Sequence, residues 1–254
     1  MPSFTEAQLA SWYGALFWPL VRVLALIATA PLLSHKALPI RIRLALGIAI
    51  SLVLVPVVQT PPIDTVMTAS GLALLVQNIL VGVMLGFGMR VILAAIGMAG
   101  ELVGLQAGLS FASFFNPVSE QTENGIGSLL SLIGLMLFIS IDGHLMLLHA
   151  LAESFRVLPL TLPIIQPTGF EAAARLGTDL FAVALSLALP FIAVLMVGNV
   201  VLAVLARVAP QLNLFAIGFP ITMTLGLGSL MVLLPYLAEP LRIALERGLL
   251  LAFQ

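Results

Sequence analysis

The sequence contains no cysteine, which excludes a disulfide framework and thiolate metal sites and leaves the redox compartment open. Charge is nearly as scarce. Only 8% of the 254 residues are charged, against about 25% in an ordinary soluble domain. So few charges cannot coat a water-facing surface, and with 61% of residues hydrophobic the chain falls in the membrane class. A net charge of −1 offers no basic field for nucleic acid. The N-terminal MPSFTEAQLASWYG carries Glu6 and no basic leader, so it does not read as a cleaved signal peptide. No Gly-Lys-Ser/Thr phosphate loop, HExxH or GxSxG motif is present. No catalysis, cofactor or metal is therefore expected. No Ser- or Gly-rich linker divides the chain, which reads as one domain over 1–254.

Trp and Tyr are also few, two of each beside 14 Phe. Trp12, Tyr13 and Trp18 cluster near the start and Tyr236 stands near the end. Proteins with several lipid-facing spans carry aromatic belts at both interfaces. What the chain has instead is six apolar runs, roughly 12–33, 44–58, 66–100, 128–151, 179–206 and 214–238. A span needs about 20 apolar residues to cross about 30 Å of hydrocarbon. The second run has 15 and the third 35, so their lengths do not match one bilayer. Pro190, Pro220 and Pro235 interrupt the later runs, and each removes a helix hydrogen bond that protein or water must replace.

If the runs alternate across a membrane, Lys36, Arg41, Arg43 and Arg207 fall on one side and Arg156, Arg175, Arg242 and Arg247 on the other. Four against four is no orientation signal. These features predict an all-α integral membrane protein of helical hairpins of irregular length, packed inside a larger helical assembly. A small transporter with poor anchors is the alternative.

Small residues recur at helical spacing: Gly82 and Gly86, then Gly100, Gly104 and Gly108. Such stripes let backbones approach closely, either within the chain or against another subunit. Arg22, Arg90, Glu101 and Asp142 lie in or beside apolar runs, where a charge costs about 2.5–3.5 kcal/mol at the bilayer centre. Arg90 and Glu101 share a helix face, but a rise of ~1.5 Å per residue sets them ~16 Å apart, so each needs another partner. A buried ion pair or a hydrated path is the functional reading, and snorkelling to an interface, above all for Arg22, the bland one. Asp142-Gly143-His144, with His149 beyond, reads as a helix break rather than a metal or relay site, because histidines five apart do not share a face.

Residues 104–125, GLQAGLSFASFFNPVSEQTENG, stand out among these greasy runs. Gly104 and Gly108 keep the backbone thin, Ser110 and Ser113 can satisfy freed backbone groups, and Asn116-Pro117 stops a helix. One helical turn would gather Phe111, Phe114 and Phe115. Rings without hydroxyls make a dry constriction that excludes water and ions. A buried loop or hairpin turn fits the same spacing. Further on, Arg207, Pro210, Gln211 and Asn213 form a polar break between two apolar segments, and Gly218 with Pro220 should bend the outgoing helix.

GELVGLQAGLSFASFFNP (100–117), Asp-Gly-His at 142–144 and RVAPQLNLFAIGFP (207–220) together resemble the FliR family of flagellar type III export-gate proteins, in order over nearly the whole chain. Injectisome homologues are similar. One departure is Ala107, where the family often has Met. The resemblance implies a cone-like helical export gate built with FliP and FliQ and associated with FlhB, in the bacterial inner membrane at the flagellar basal body. Its cargo would be unfolded flagellar proteins. It also implies a FliP-like part over 1–175 and a FliQ-like helical pair over 176–254. The loop over 106–125 would plug the gate, with Phe111, Phe114 and Phe115 as its bulky positions and Gly108, Ser110, Asn116 and Pro117 as its backbone. Gly100, Gly104 and Gly108 would serve subunit packing.

Two other readings remain on these residues. A solute or proton-coupled transporter would use Glu101 and Asp142, and an intramembrane hydrolase would need a nucleophile that the chain does not offer.

Overall fold

The computed structural model describes residues 6–35, 38–58, 61, 67–109, 124–160, 168–211 and 214–251. They form helices α1 (Glu6–Thr29), α2 (Ile40–Leu54), α3 (Ala69–Gln106), α4 (Gly125–Ser140), α5 (Gly143–Val157), α6 (Thr168–Val208), α7 (Leu214–Leu233) and α8 (Ala238–Leu251). A short 3-10 turn, Leu234–Leu237, joins the last two at Pro235. No strand occurs among the described residues.

Each apolar run became helical, with two corrections. The fourth run is two helices. Asp142 adopts the left-handed conformation, φ 58° and ψ 29°, which Asp tolerates better than most residues and which ends a right-handed helix. The third run does not stop at Gly100 but continues to Gln106. At ~1.5 Å per residue α3 and α6 are ~57 Å and ~62 Å long, about twice a hydrocarbon core, while α2 is only ~23 Å.

Among the described residues four helical stretches are long and apolar enough to cross a membrane: Trp12–Thr29, Ala69–Gln106, Gly177–Val208 and Ile217–Arg247. A fifth is added if α4 and α5 count as one broken span. The chain is thus a membrane protein. In the most apolar 18 residues of Gly177–Val208 and of Ile217–Arg247 only 28% and 17% are buried, so much of their apolar surface is turned outward.

The contacts divide the chain into two compact units. The first comprises Met1–Val91, Asp142–Leu176 and Leu245–Gln254. Its core contains Trp18, Leu26, Leu85, Leu151 and Phe155. At its centre lies Arg22, expected to snorkel but fully buried. Its Nε donates to Asn78 Oδ1 at 2.8 Å, and one terminal nitrogen donates to the Ser154 carbonyl at 2.8 Å and the Ser154 hydroxyl at 3.0 Å. The other terminal nitrogen donates to the Leu158 carbonyl at 3.0 Å. The guanidinium also sits 4.1 Å from the Phe155 ring centroid, within cation–π range.

Two of its acceptors are carbonyls at the C-terminal end of α5. The Ser154 carbonyl also takes the Leu158 backbone N–H at 3.0 Å, so Arg22 adds a second donor there, and the helix dipole is negative at that end. Arg22 therefore ties α1 to α3 and caps α5 with one side chain. Snorkelling would have given up all four bonds. Trp18, one turn before it, is likewise fully buried and is no interfacial anchor.

The α1–α3 approach that brings Arg22 to Asn78 depends on Gly82 and Gly86. A Cβ on Gly82 would strike the Arg22 carbonyl and lie 2.8 Å from Ala25 Cβ. One on Gly86 would lie 2.7 Å from the Ala30 amide. This part of the glycine ladder packs within the chain.

Replacing Arg22 with Ala leaves Asn78 Oδ1 and the Leu158 carbonyl without this donor, at about 1–3 kcal/mol for each unsatisfied buried group. Arg22→Lys keeps the charge but not the fork that reaches three elements. Both variants should melt several degrees lower in detergent, Ala more than Lys, and a melting curve identical to the parent's would contradict this role.

Candidate functional site

The second unit comprises Ile92–Ile141 and Gly177–Ala244. It holds the two helix ends that bracket the Phe-rich stretch. α3 ends at Gln106 and α4 begins at Gly125, the boundaries expected for the loop over 106–125. Ser110, Phe111, Phe114, Phe115, Asn116 and Pro117 lie outside the described residues, so the site can be built only from its two edges.

The first edge is a Schellman motif. Leu109 N donates to Gly104 O at 2.9 Å and Gly108 N to Leu105 O at 3.1 Å. Gly108 has φ 86°, the left-handed conformation that this motif requires and that glycine adopts without a Cβ penalty. Gly108 therefore terminates α3 and is not the next rung of a packing stripe. Ala107 is fully buried, and its carbonyl accepts from the Thr222 hydroxyl of α7 at 2.9 Å.

The second edge is the start of α4. Asn124 is its N-cap, with Oδ1 accepting from Gly127 N at 2.7 Å. Asn124 is held in turn by Glu101. Its backbone N donates to Glu101 Oε1 at 2.7 Å, and its Nδ2 donates to Glu101 Oε2 at 2.9 Å and to the Glu101 carbonyl at 3.3 Å. The acid lies beside the positive end of the α4 dipole, where a carboxylate is favoured. Arg90 is exposed on α3 and the half-buried Glu101 spends both oxygens on Asn124. For Glu101, expected with Arg90 in a buried ion pair or a hydrated path, the structure adds a carboxylate–amide clasp with Asn124.

Gly100 and Gly104, expected at a subunit surface, are buried within the chain. A Cβ on Gly100 would lie 2.7 Å from Gly127 Cα, and one on Gly104 would run into the Asn124 side chain. α4 begins where those side chains would have been. The two glycines admit the clasp, and the clasp closes the gap between α3 and α4.

α6 and α7 form an antiparallel hairpin. A Cβ on Gly198 would meet Leu225, and one on Gly218 would meet Leu202, so the pairing number falls on one helix as it rises on the other. Arg207, Pro210 and Gln211 are exposed at the turn, and Asn213 lies outside the described residues. Gly218 and Pro220 are not part of the break, because α7 runs through both. The Thr222 hydroxyl, which donates to Ala107 O, also lies 3.1 Å from the carbonyls of Gly218 and Phe219, and the Thr224 hydroxyl donates to Pro220 O at 2.7 Å. Such bonds to the preceding turn are common for hydroxyl side chains within helices.

Sequence reasoning passed over Asn124, Thr222 and Asn78. Asn124 was readable as an N-cap type before an apolar helical run. The other two gave no signal, since their partners are distant in sequence.

Gly108→Ala should cost about 1–2 kcal/mol from the left-handed backbone alone. Gly104→Val should cost more, by forcing Asn124 off its partners. Amide hydrogen exchange in the first turn of α4 should rise in Gly104→Val and stay near the parent's in Gly108→Ala. Equal protection in both would show that Gly104 does not support the clasp.

Comparison with known proteins bears on this arrangement. The family described as "Bacterial export proteins, family 1" matches residues 13–248. The flagellar biosynthetic protein FliR of Pectobacterium carotovorum subsp. carotovorum is 43% identical over 246 residues, 95% of this chain and 93% of its own. FliR of Escherichia coli strain K12 is 40% identical over 238 residues, covering 94% and 91%. FliR of Aquifex aeolicus strain VF5 is 30% identical over 214 residues, covering 84% and 83%. With the helical membrane architecture, these matches make the chain a member of the FliR family of bacterial export proteins, which serves flagellar biosynthesis.

Proposed function

We propose that this chain is a structural pore subunit of the flagellar protein-export gate, without catalytic chemistry of its own. It sits in the bacterial inner membrane, assembles with FliP and FliQ, associates with FlhB, and passes unfolded flagellar proteins. Residues 1–175 act as the FliP-like part and 176–254 as the FliQ-like hairpin. The loop over 106–125 plugs the pore. Phe111, Phe114 and Phe115 supply its apolar bulk, and Gly108, Ser110, Asn116 and Pro117 shape its backbone.

The observation that carries this reading is the frame at the loop's two ends. The Schellman turn at Gly108, the Thr222 bond to Ala107 and the Glu101–Asn124 clasp fix both points from which the loop leaves. An ordinary surface turn between two helices needs no such anchoring. A seal does, because its tip must stay centred in a channel while unfolded polypeptide is absent. The largely unburied apolar faces of α6 and α7 give further support, since sister subunits have something to cover. Rings that only pack against one another leave few backbone hydrogen bonds to break when the seal yields.

The test is ion conductance of the complete gate reconstituted in planar bilayers. Replacing Phe111, Phe114 and Phe115 together with Ala should raise resting conductance at least about tenfold, because the dry constriction is gone. Conductance equal to that of the parent gate would remove the plug from this account.

A further inference from the structure

The clasp itself carries more than a packing role. We propose that Glu101 is a positioning residue of the gate: by gripping Asn124 through both carboxylate oxygens it sets how the ends of α3 and α4 face each other, and so fixes the two points from which the plug segment departs. This rests on the plug reading above.

Three features single out Glu101. First, the grip is two-pronged. Oε1 takes the backbone N–H of Asn124 and Oε2 takes its Nδ2, so both the position of the chain and the rotamer of the side chain are set. With Nδ2 held, Oδ1 is left facing Gly127 N, and the N-cap follows from the grip. Second, α4 has no acidic residue in its own first turn. The negative charge that its positive end favours arrives from another helix, so the capping contact is at the same time a tie between elements. Third, the neighbours are cut to fit. A Cβ on Gly127 would collide with Glu101 Oε1, and Gly100 and Gly104 leave room for α4 on the other side.

A carboxylate inside an apolar helix is costly, and a neutral residue would have filled the same space. What a neutral residue cannot do is accept two N–H groups along two fixed directions. The donor and acceptor roles of the pair can, however, be exchanged. Glu101→Gln alone turns one acceptor into a donor that faces Asn124 Nδ2. Asn124→Asp alone sets two acceptors against each other. In the double variant the amide at 101 donates to the carboxylate at 124, the amide oxygen still meets the backbone N–H, and Gly127 N keeps a capping oxygen, while the 3.3 Å bond from Asn124 Nδ2 to the Glu101 carbonyl is lost.

The experiment measures resting conductance of the reconstituted complete gate carrying Glu101→Gln, Asn124→Asp, both together, or the Phe111, Phe114 and Phe115 triple Ala replacement. Each single clasp variant should leak about tenfold more than the parent, as expected for losing one charge-assisted hydrogen bond, and the double variant should leak less than either single, recovering the side-chain pairing but not the bond to the Glu101 carbonyl. Tight single variants beside a leaking Phe variant would overturn the role of Glu101 and leave the plug standing. A double variant as leaky as the singles would also overturn it, because the pairing would then not matter. A tight Phe variant would overturn the plug reading, and this inference with it. If Glu101→Gln does not assemble, Asn124→Ser takes its place. It keeps a capping oxygen for Gly127 but drops the Nδ2 donor, so leakage supports the proposal and a tight gate contradicts it.

Discussion

A helix that ends away from water must find partners for its last polar groups inside the protein. This chain, with 8% charged residues, meets that constraint with very few side chains. In the first unit Arg22 supplies the donors for the end of α5 and reaches Asn78 on α3. In the second, Glu101 and Asn124 provide for the start of α4, and Thr222 provides for the Ala107 carbonyl at the end of α3. The apolar cores of both units supply most of the burial but little direction. These few polar contacts decide which helix ends meet, and a greasy interior has no other means of specifying that.

The same economy explains why small residues matter so much. Gly82, Gly86, Gly100 and Gly104 each lie where a neighbouring backbone or polar side chain occupies the space of a Cβ. Without them Arg22 would not reach Asn78, and Glu101 would not reach Asn124. Close packing and polar satisfaction are one arrangement seen from two sides. The helices carrying it are too long or too short for a single bilayer, which suits a protein whose neighbours are other polypeptides. The proposed function gives that mismatch a purpose, since a conduit for unfolded chains needs walls of its own and cannot borrow them from lipid.

Much of this was legible beforehand. Apolar runs located the helices, Asp142-Gly143 located the break between α4 and α5, and the change of composition at 106–125 located the gap between α3 and α4. What was misread followed from partners that a linear sequence does not display. Arg22 looked like a snorkelling residue because Asn78, Ser154 and Leu158 are remote in the chain. Glu101, expected in an ion pair or a hydrated path, gave no sign of its clasp because its amide partner lies 23 residues away across the Phe-rich stretch. The spacing of Gly100, Gly104 and Gly108 suggested one stripe, yet only backbone geometry separates two packing glycines from one that ends a helix. Gly218 and Pro220 were expected to bend the outgoing helix, and α7 runs unbroken through both.

The central claim is that these mismatched helices are shielded by sister subunits rather than by phospholipid. Native mass spectrometry of the particle extracted from membranes in a mild detergent tests it most directly. The account predicts that this 26.8 kDa chain is released only as part of a much heavier assembly containing FliP and FliQ, with few lipids attached to α6 and α7. A stable 26.8 kDa particle, carrying lipid around its whole circumference and no other polypeptide, would contradict it.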